Sequence, residues 1–164
     1  MIVKDAMVLI HLAKITLLEK SCEYFREVIM PLMVYDEIIK GKDKGYGDVI
    51  IIENLIKMNK IKINKIKDET LMQKAREFNI YRGEAEALAL YWQENADILA
   101  TDDDNVRKKK LLLNISVIST PAIIMNLYKK QKITKEKYLD SISSLRKIGW
   151  FTNQVLDRMK MEAI

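Results

Sequence analysis

Ile98-Leu99-Ala100-Thr101-Asp102-Asp103-Asp104 is the stretch that decides the fold. A short apolar run, the size of a buried strand, stops abruptly at a threonine and three consecutive acids. A polar, helix-like stretch follows and ends in Arg107-Lys108-Lys109-Lys110. In an open parallel sheet, sites form outside the carboxyl ends of the strands. Three carboxylates at such an end repel one another unless a cation, a helix cap or water offsets them. The plain alternative is that Thr101 or Asp102 caps the helix, with the other acids at its positive end and the four cations at its negative end. What separates the two readings is whether acids from elsewhere in the chain converge on the same place.

Residues 1–4 repeat the pattern. They are short and apolar except for Lys4, they end at Asp5, and an apolar, helix-favouring run follows over 6–13. Asp5 is either an acid at a strand end or a helix N-cap. His11, the only histidine, lies inside that run and reads as a core or edge residue rather than a ligand; alone, it gives no support to Ser-His or Cys-His catalysis. Residues 17–25 read as a second helix and 28–30 as a strand. Pro31 and Gly41 suit the start and end of a helix. On its wheel Leu32, Val34, Tyr35, Ile38 and Ile39 form an apolar arc. Asp36 and Glu37 flank that arc on opposite sides, and spacing alone does not choose between them. The loop 41–47 lacks the spacing of a phosphate cradle. Asp48 is placed to cap a helix running through 56, and 61–64 alternates like an edge strand. The lysines at 57, 60, 62, 65 and 67 read as a solvated face.

A helix over 69–78 precedes the alanine-rich segment 82–92, where the wheel discriminates. At about 100° per residue, Glu84 falls within the arc of Ala85, Leu88, Ala89, Tyr91 and Trp92. Glu86 falls outside it beside Gln93, as an ordinary surface acid. A carboxylate on a buried arc is costly without a partner, so Glu84 is the odd residue. Residues 115–119 form another buried-type strand and 121–130 a helix. Thr134 caps the next helix, whose inner side is Tyr138, Leu139, Ile142 and Leu145. Gly149-Trp150-Phe151 breaks it, and a closing helix spans 153–161. Strands alternating with helices indicate an α/β fold with a parallel sheet and right-handed crossovers. No linker or repeat interrupts it, so one domain is expected over 1–164, with 134–164 as a C-terminal helical extension.

The bulk numbers agree. The 164 residues are 49% hydrophobic, with two prolines and five glycines, which excludes collagen-like and low-complexity classes. No apolar run has the length of a membrane span and the first residues do not open a signal peptide. Cys22 stands alone, which excludes an internal disulfide or a cysteine zinc cluster. A soluble cytoplasmic protein without a membrane partner is expected. The 28 Lys+Arg against 23 Asp+Glu, net +5, suit a polyanion partner and equally a solubility surface.

Four acidic positions therefore stand out: Asp5, Asp36 or Glu37, Glu84, and one or more of residues 102–104. Carboxylates without His or Cys are the ligand set for Mg²⁺ or Mn²⁺, and such a cluster can promote in-line displacement at phosphorus. The pieces around these acids are Ile2-Val3-Lys4-Asp5, Val34-Tyr35-Asp36-Glu37-Ile38, Gly83-Glu84-Ala85-Glu86-Ala87-Leu88-Ala89-Leu90 and Thr101-Asp102-Asp103. In this order and spacing the chain resembles the PIN domain family, which includes ribonuclease toxins of the VapC type, over nearly its whole length. The resemblance implies a three-layer α/β/α fold with a central parallel sheet, here with additional C-terminal helices. It implies a divalent-metal-dependent ribonuclease acting on single-stranded RNA, with Asp5, Glu37, Glu84 and Asp103 as catalytic and metal-binding acids and Asp102 as an auxiliary ligand. The toxin of a toxin–antitoxin pair, a catalytically weak module binding RNA or a protein, and a homodimer are carried with it as expectations. Trp150 and Phe151 either cover the core or form the dimer contact. Arg82 and residues 107–110 would bind the RNA backbone. Two positions depart from the family: Met7 stands where members usually carry Ser, Thr or Asn, and Glu84 stands where aspartate is frequent.

Overall fold

A computed structural model describes residues 1–42, 44 and 47–164 of the chain. Of the loop read at 41–47, residues 43, 45 and 46 lie outside the described residues. The chain runs β1 (Ile2–Lys4), α1 (Ala6–Lys14), α2 (Leu18–Phe25), β2 (Val28–Pro31), α3 (Leu32–Lys42), α4 (Asp48–Lys57) and β3 (Ile61–Asn64). It continues α5 (Glu69–Glu77), α6 (Arg82–Gln93), β4 (Ile98–Ala100), α7 (Asp104–Lys108), α8 (Lys110–Leu113) and β5 (Val117–Ile118). It closes with α9 (Thr120–Lys129), α10 (Lys135–Ile148) and α11 (Asn153–Met161).

The five strands form one all-parallel sheet in the order β3-β2-β1-β4-β5. From the central β1 the chain first builds outward through β2 to β3. It then crosses back to place β4 on the other side of β1, with Ile2 opposite Ile98 and Lys4 opposite Ala100. The direction of building reverses between β1 and β4, and a crevice opens at their carboxyl ends, where ligands collect in this class of sheet.

Alternation along the strands supplies two cores. Ile2, Val28, Met30 and Ile61 face a cluster containing Leu9 and Leu12 of α1, Ile123 and Leu127 of α9, Leu145 of α10 and Leu156 of α11. Val3, Ile29 and Leu99 face the opposite cluster of Met72, Ala85, Leu88 and Val106. Helices therefore cover both faces, giving the α/β/α layering, and the C-terminal helices share the first of these cores. Lys4 breaks the apolar pattern of β1. It is fully buried, donates to Ser21 Oγ of α2, and sits 5.4 Å from the centre of the Phe25 ring. That burial pushes its ammonium down to about 8.

Several local readings are corrected. Pro31 ends β2 rather than opening α3, and Gly41 lies within α3. Gly47, not Asp48, is the N-cap of α4, with Asp48 in its first turn. The strand expected at 115–119 pairs only over Val117–Ile118, and Ser119 turns to cap α9. On α10, Tyr138, Ile142 and Leu145 are buried as expected, but Ser141 takes the fourth inner position and Leu139 is exposed. The polar run after Asp104 is two short helices, joined at Lys109. Among the described residues no helix is long and apolar enough to cross a membrane.

Candidate active site at the sheet switch point

Asp5 is the first residue after β1. Its backbone N–H donates to the Ala100 carbonyl across the switch point at 3.1 Å, and its Oδ1 accepts the Val8 N–H at 2.9 Å, capping α1. It is 4% exposed. Burial pushes its carboxyl up to about 7; hydrogen bonds from the Thr101 hydroxyl and the Val8 N–H oppose the rise, and the nearby Asp102 and Glu84 charges add to it. The N-cap and strand-end readings of Asp5 are thus both correct, because the first turn of α1 starts at the end of β1.

The same holds across the crevice, with a change of residue. Asp103, rather than Thr101 or Asp102, caps the helix after β4, its Oδ1 accepting the Val106 N–H at 2.8 Å. The Thr101 hydroxyl accepts the Asp103 N–H at 3.1 Å. Thr101 thus holds the Asp103 backbone and counters the rise of the Asp5 carboxyl with the same side chain. Asp103 shares a cleft of about 210 Å³ with Glu84 and Arg82.

Glu84 lies in the first turn of α6 and is half-buried. The helix enters through Arg82 at φ +54°, a backbone region unusual for a residue with a side chain. Next to it, Gly83 leaves room for Glu37. A Cβ at position 83 would lie 2.9 Å from Glu37 Oε2. Burial and then the Glu84 charge hold the Glu37 carboxyl above its ordinary range. Of the two acids left open on α3, Glu37 is thus the one against α6 and beside Glu84.

Glu86 corrects the helical wheel. It is buried and accepts the Met33 N–H at the start of α3 at 2.8 Å. Burial, more than its acidic neighbours Asp36 and Glu37, raises its pKa. The wheel placed it outside because it scored one apolar arc, whereas α6 is enclosed by β1, β2 and β4 on one side and by α3 and α5 on others.

Asp102, expected as an auxiliary ligand, has both oxygens engaged by neighbouring groups. Its Oδ1 accepts the Thr120 N–H at 2.7 Å; its Oδ2 accepts the Thr120 hydroxyl at 2.6 Å and faces His11 Nδ1 at 2.8 Å. Both oxygens are engaged, and the side chain is sealed from solvent. It anchors β4 to α1 and to the N-terminus of α9, where a negative charge is favoured. His11 is the core residue expected, and its partner was missed. The usable signal was the rule itself: an imidazole buried in an apolar run needs a polar partner.

Beyond Asp103 the crevice widens into a second cleft of about 410 Å³, lined by Asp104, Arg107, Trp150 and Phe151. Phe151 packs on the core, edge-on to His11 at 5.2 Å, while Trp150 is 52% exposed. Asp5 and Asp103 therefore follow adjacent strands at the switch point; the Glu84 charge acts on Asp5, Glu84 shares the smaller cleft with Asp103, and Glu37 lies beside Glu84. The donor chemistry, oxygen only and mutually repulsive, fits a hard divalent cation. Among the described residues no three His, Cys, Asp or Glu side chains are grouped as a preformed chelate.

A family model described as DUF3368, a PIN domain, matches residues 1–162. No curated protein and no solved structure matches the chain.

Proposed function

Because this chain belongs to the PIN domain family, a family of nucleases, we propose that it is a divalent-metal-dependent ribonuclease that hydrolyses phosphodiester bonds of single-stranded RNA. The observation that carries the reading is convergence. Asp5 and Asp103, almost a hundred residues apart in the chain, follow adjacent parallel strands at the switch point, and the Asp5 carboxyl feels the Glu84 charge.

Asp5, Glu37, Glu84 and Asp103 are the side chains that would hold Mg²⁺ or Mn²⁺. Such an ion supplies positive charge beside the scissile phosphate and makes a water more acidic. The chain's own groups do the rest. Val8 and Val106 N–H each hold one oxygen of Asp5 and Asp103, fixing the carboxylates on rigid helix starts. Thr101 holds the Asp103 N–H and counters the rise of the Asp5 carboxyl. In the metal-free chain the Asp5 carboxyl stands at about 7, so taking up the ion would release its proton. Asp102 acts as an anchor rather than a ligand. Arg82 shares the smaller cleft with Glu84 and Asp103, so a cation stands where an RNA backbone would cross the acids.

The test is cleavage of a generic single-stranded RNA by purified protein in Mn²⁺, Mg²⁺ or EDTA. Cutting with either metal, none in EDTA, and a loss of at least about 100-fold in Asp5→Asn or Asp103→Asn are expected. RNA binding by the variants should stay within a few-fold of the parent. Wild-type cutting by an Asp5→Asn/Asp103→Asn double variant would place the activity elsewhere.

Met7 favours a second reading, a catalytically weak module that binds RNA or a protein. It lies two residues after Asp5 and presents a half-buried thioether, a poor partner for a water or a hard cation. This reading predicts RNA binding indifferent to EDTA and no product, and a Met7→Ser variant that gains cleavage would support it. A toxin role adds an antitoxin partner, and predicts growth arrest on expression that Asp103→Asn relieves.

A further inference from the structure

We propose that the cleft beside Asp103 walled by Trp150, Phe151 and Arg107 is a base-binding subsite, which stacks one nucleobase of single-stranded RNA on Trp150. The inference rests on the ribonuclease reading above and assigns part of its substrate specificity. At about 410 Å³ the cleft is within the size range of small-ligand sites, and it shares Asp103 with the acid cluster.

The backbone presents the indole deliberately. Gly149 ends α10 in the left-handed region at φ +76°, and Thr152 caps α11 with its hydroxyl on the Val155 N–H. The two residues between them are thereby turned toward α1. Phe151 is used up against the core. Trp150 lies 5.7 Å from the His11 ring, tilted by 53°, and keeps half its surface open. His11 is itself held by Asp102, so the platform is fixed to the same strand end as Asp103. A large aromatic left exposed on a rigid support is the kind of surface on which bases stack.

The charge in the cleft selects a base over a phosphate. Asp103 and Asp104 face it against the single guanidinium of Arg107, which is 3.6 Å from Asp104 and 41% exposed. A phosphate would be repelled by the excess carboxylate. A neutral base is not, and its edge finds an acceptor in Asp104 and donors in Arg107. An acceptor carboxylate favours bases with an exocyclic amino group, adenine, cytosine and guanine, over uracil.

The experiment uses the full chain with Trp92→Phe, which leaves Trp150 as its sole tryptophan. Octamers of A, C or U are titrated in EDTA, following tryptophan emission and, in parallel, the anisotropy of a labelled octamer. Saturable quenching is expected, with tighter binding of A and C than of U. Trp150→Leu should weaken binding by roughly tenfold, within the range for losing one base–aromatic stack. Trp150→Tyr should stay near the parent, and Asp104→Asn should narrow the preference over U. Melting curves of each variant check the fold. Octamer binding without any change in Trp150 emission, and undiminished in Trp150→Leu, would overturn the subsite. So would a Trp150→Leu variant that turns a dimer into a monomer while binding RNA as before, which would make the patch a contact between copies. Absence of octamer binding by the parent overturns it too, and cleavage of RNA in Mn²⁺ then decides the ribonuclease reading separately.

Discussion

Asp5 and Lys4 are adjacent, both buried, and shifted in opposite directions, so their effects on stability fall in separate pH windows. Burial raises Asp5 to about 7 from an ordinary 3.8. Between those values the folded chain keeps a proton that the unfolded chain has lost, so stability falls as pH rises from about 4 to 7. Lys4, lowered to about 8 from 10.5, has shed its proton in the fold while the unfolded chain still holds one. Its contribution makes stability rise between about 8 and 10.5. Asp5→Asn should therefore flatten the acid-side slope and leave the alkaline one. In EDTA the variant should match the parent near pH 4 and exceed it by about 2–4 kcal/mol at pH 8, as read by urea unfolding at both pH values. Gly83 makes a complementary case. A Cβ there meets the end of the Glu37 side chain at 2.9 Å, the far end of a flexible side chain on a residue exposed overall. Gly83→Ala should cost less than about 1 kcal/mol of stability, because alanine also favours the helix. It should nonetheless cut cleavage at least tenfold by displacing the acid, a split visible when melting and rate are measured on one preparation.

At the scale of elements, the helices are joined to the sheet through side chains that a one-dimensional pattern does not price. Glu86 of α6 accepts a backbone N–H at the start of α3, and Asp102 after β4 accepts one at the start of α9. Each satisfies a donor that a helix N-terminus leaves without an internal partner. Glu86→Ala should destabilise by about 1–3 kcal/mol, the cost of an unsatisfied buried donor, whereas Glu86→Gln should recover most of it. Thermal or urea unfolding of the pair decides the matter. The periodicity of α6 could not reveal this link. A helix wrapped by strands and two other helices has no single apolar face, so an acid outside the arc is buried as readily as one within it. The element boundaries were more legible, because Asp5, Thr134 and Gly149 act through purely local chemistry. The boundaries that slipped, at Pro31, Asp48 and residues 115–119, are those set by strand pairing or by the neighbouring turn rather than by the residue itself.

For the whole molecule, the parallel sheet and its layers were legible because each buried strand must offer apolar residues to both faces, as Ile2 and Val3 do. Strand-end acids were legible for a related reason: an apolar run that stops at Asp5 or Thr101 leaves the next polar residue at the rim. What the sequence could not supply was the direction of each carboxylate. Asp102 and Asp103 are neighbours of the same type, yet one is locked to His11 and Thr120 while the other caps α7 at the open crevice. That distinction depends on α1 and α9 arriving from distant parts of the chain. It also has a consequence for the stability of the molecule as a whole. Ions that bind the folded chain alone stabilise it by mass action, by about 2.7 kcal/mol at a hundredfold excess over the dissociation constant. If Asp5, Glu37, Glu84 and Asp103 hold the ion, Mn²⁺ should raise the melting temperature of the parent and leave that of Asp103→Asn nearly unchanged. Asp102→Asn should behave oppositely. It loses stability outright, because a buried and fully bonded acceptor is replaced by a group with the wrong hydrogen, but it keeps most of its upward shift with Mn²⁺. Melting each protein in EDTA and in Mn²⁺ separates the two roles: equal metal shifts in the two variants would contradict the division between ligand and anchor.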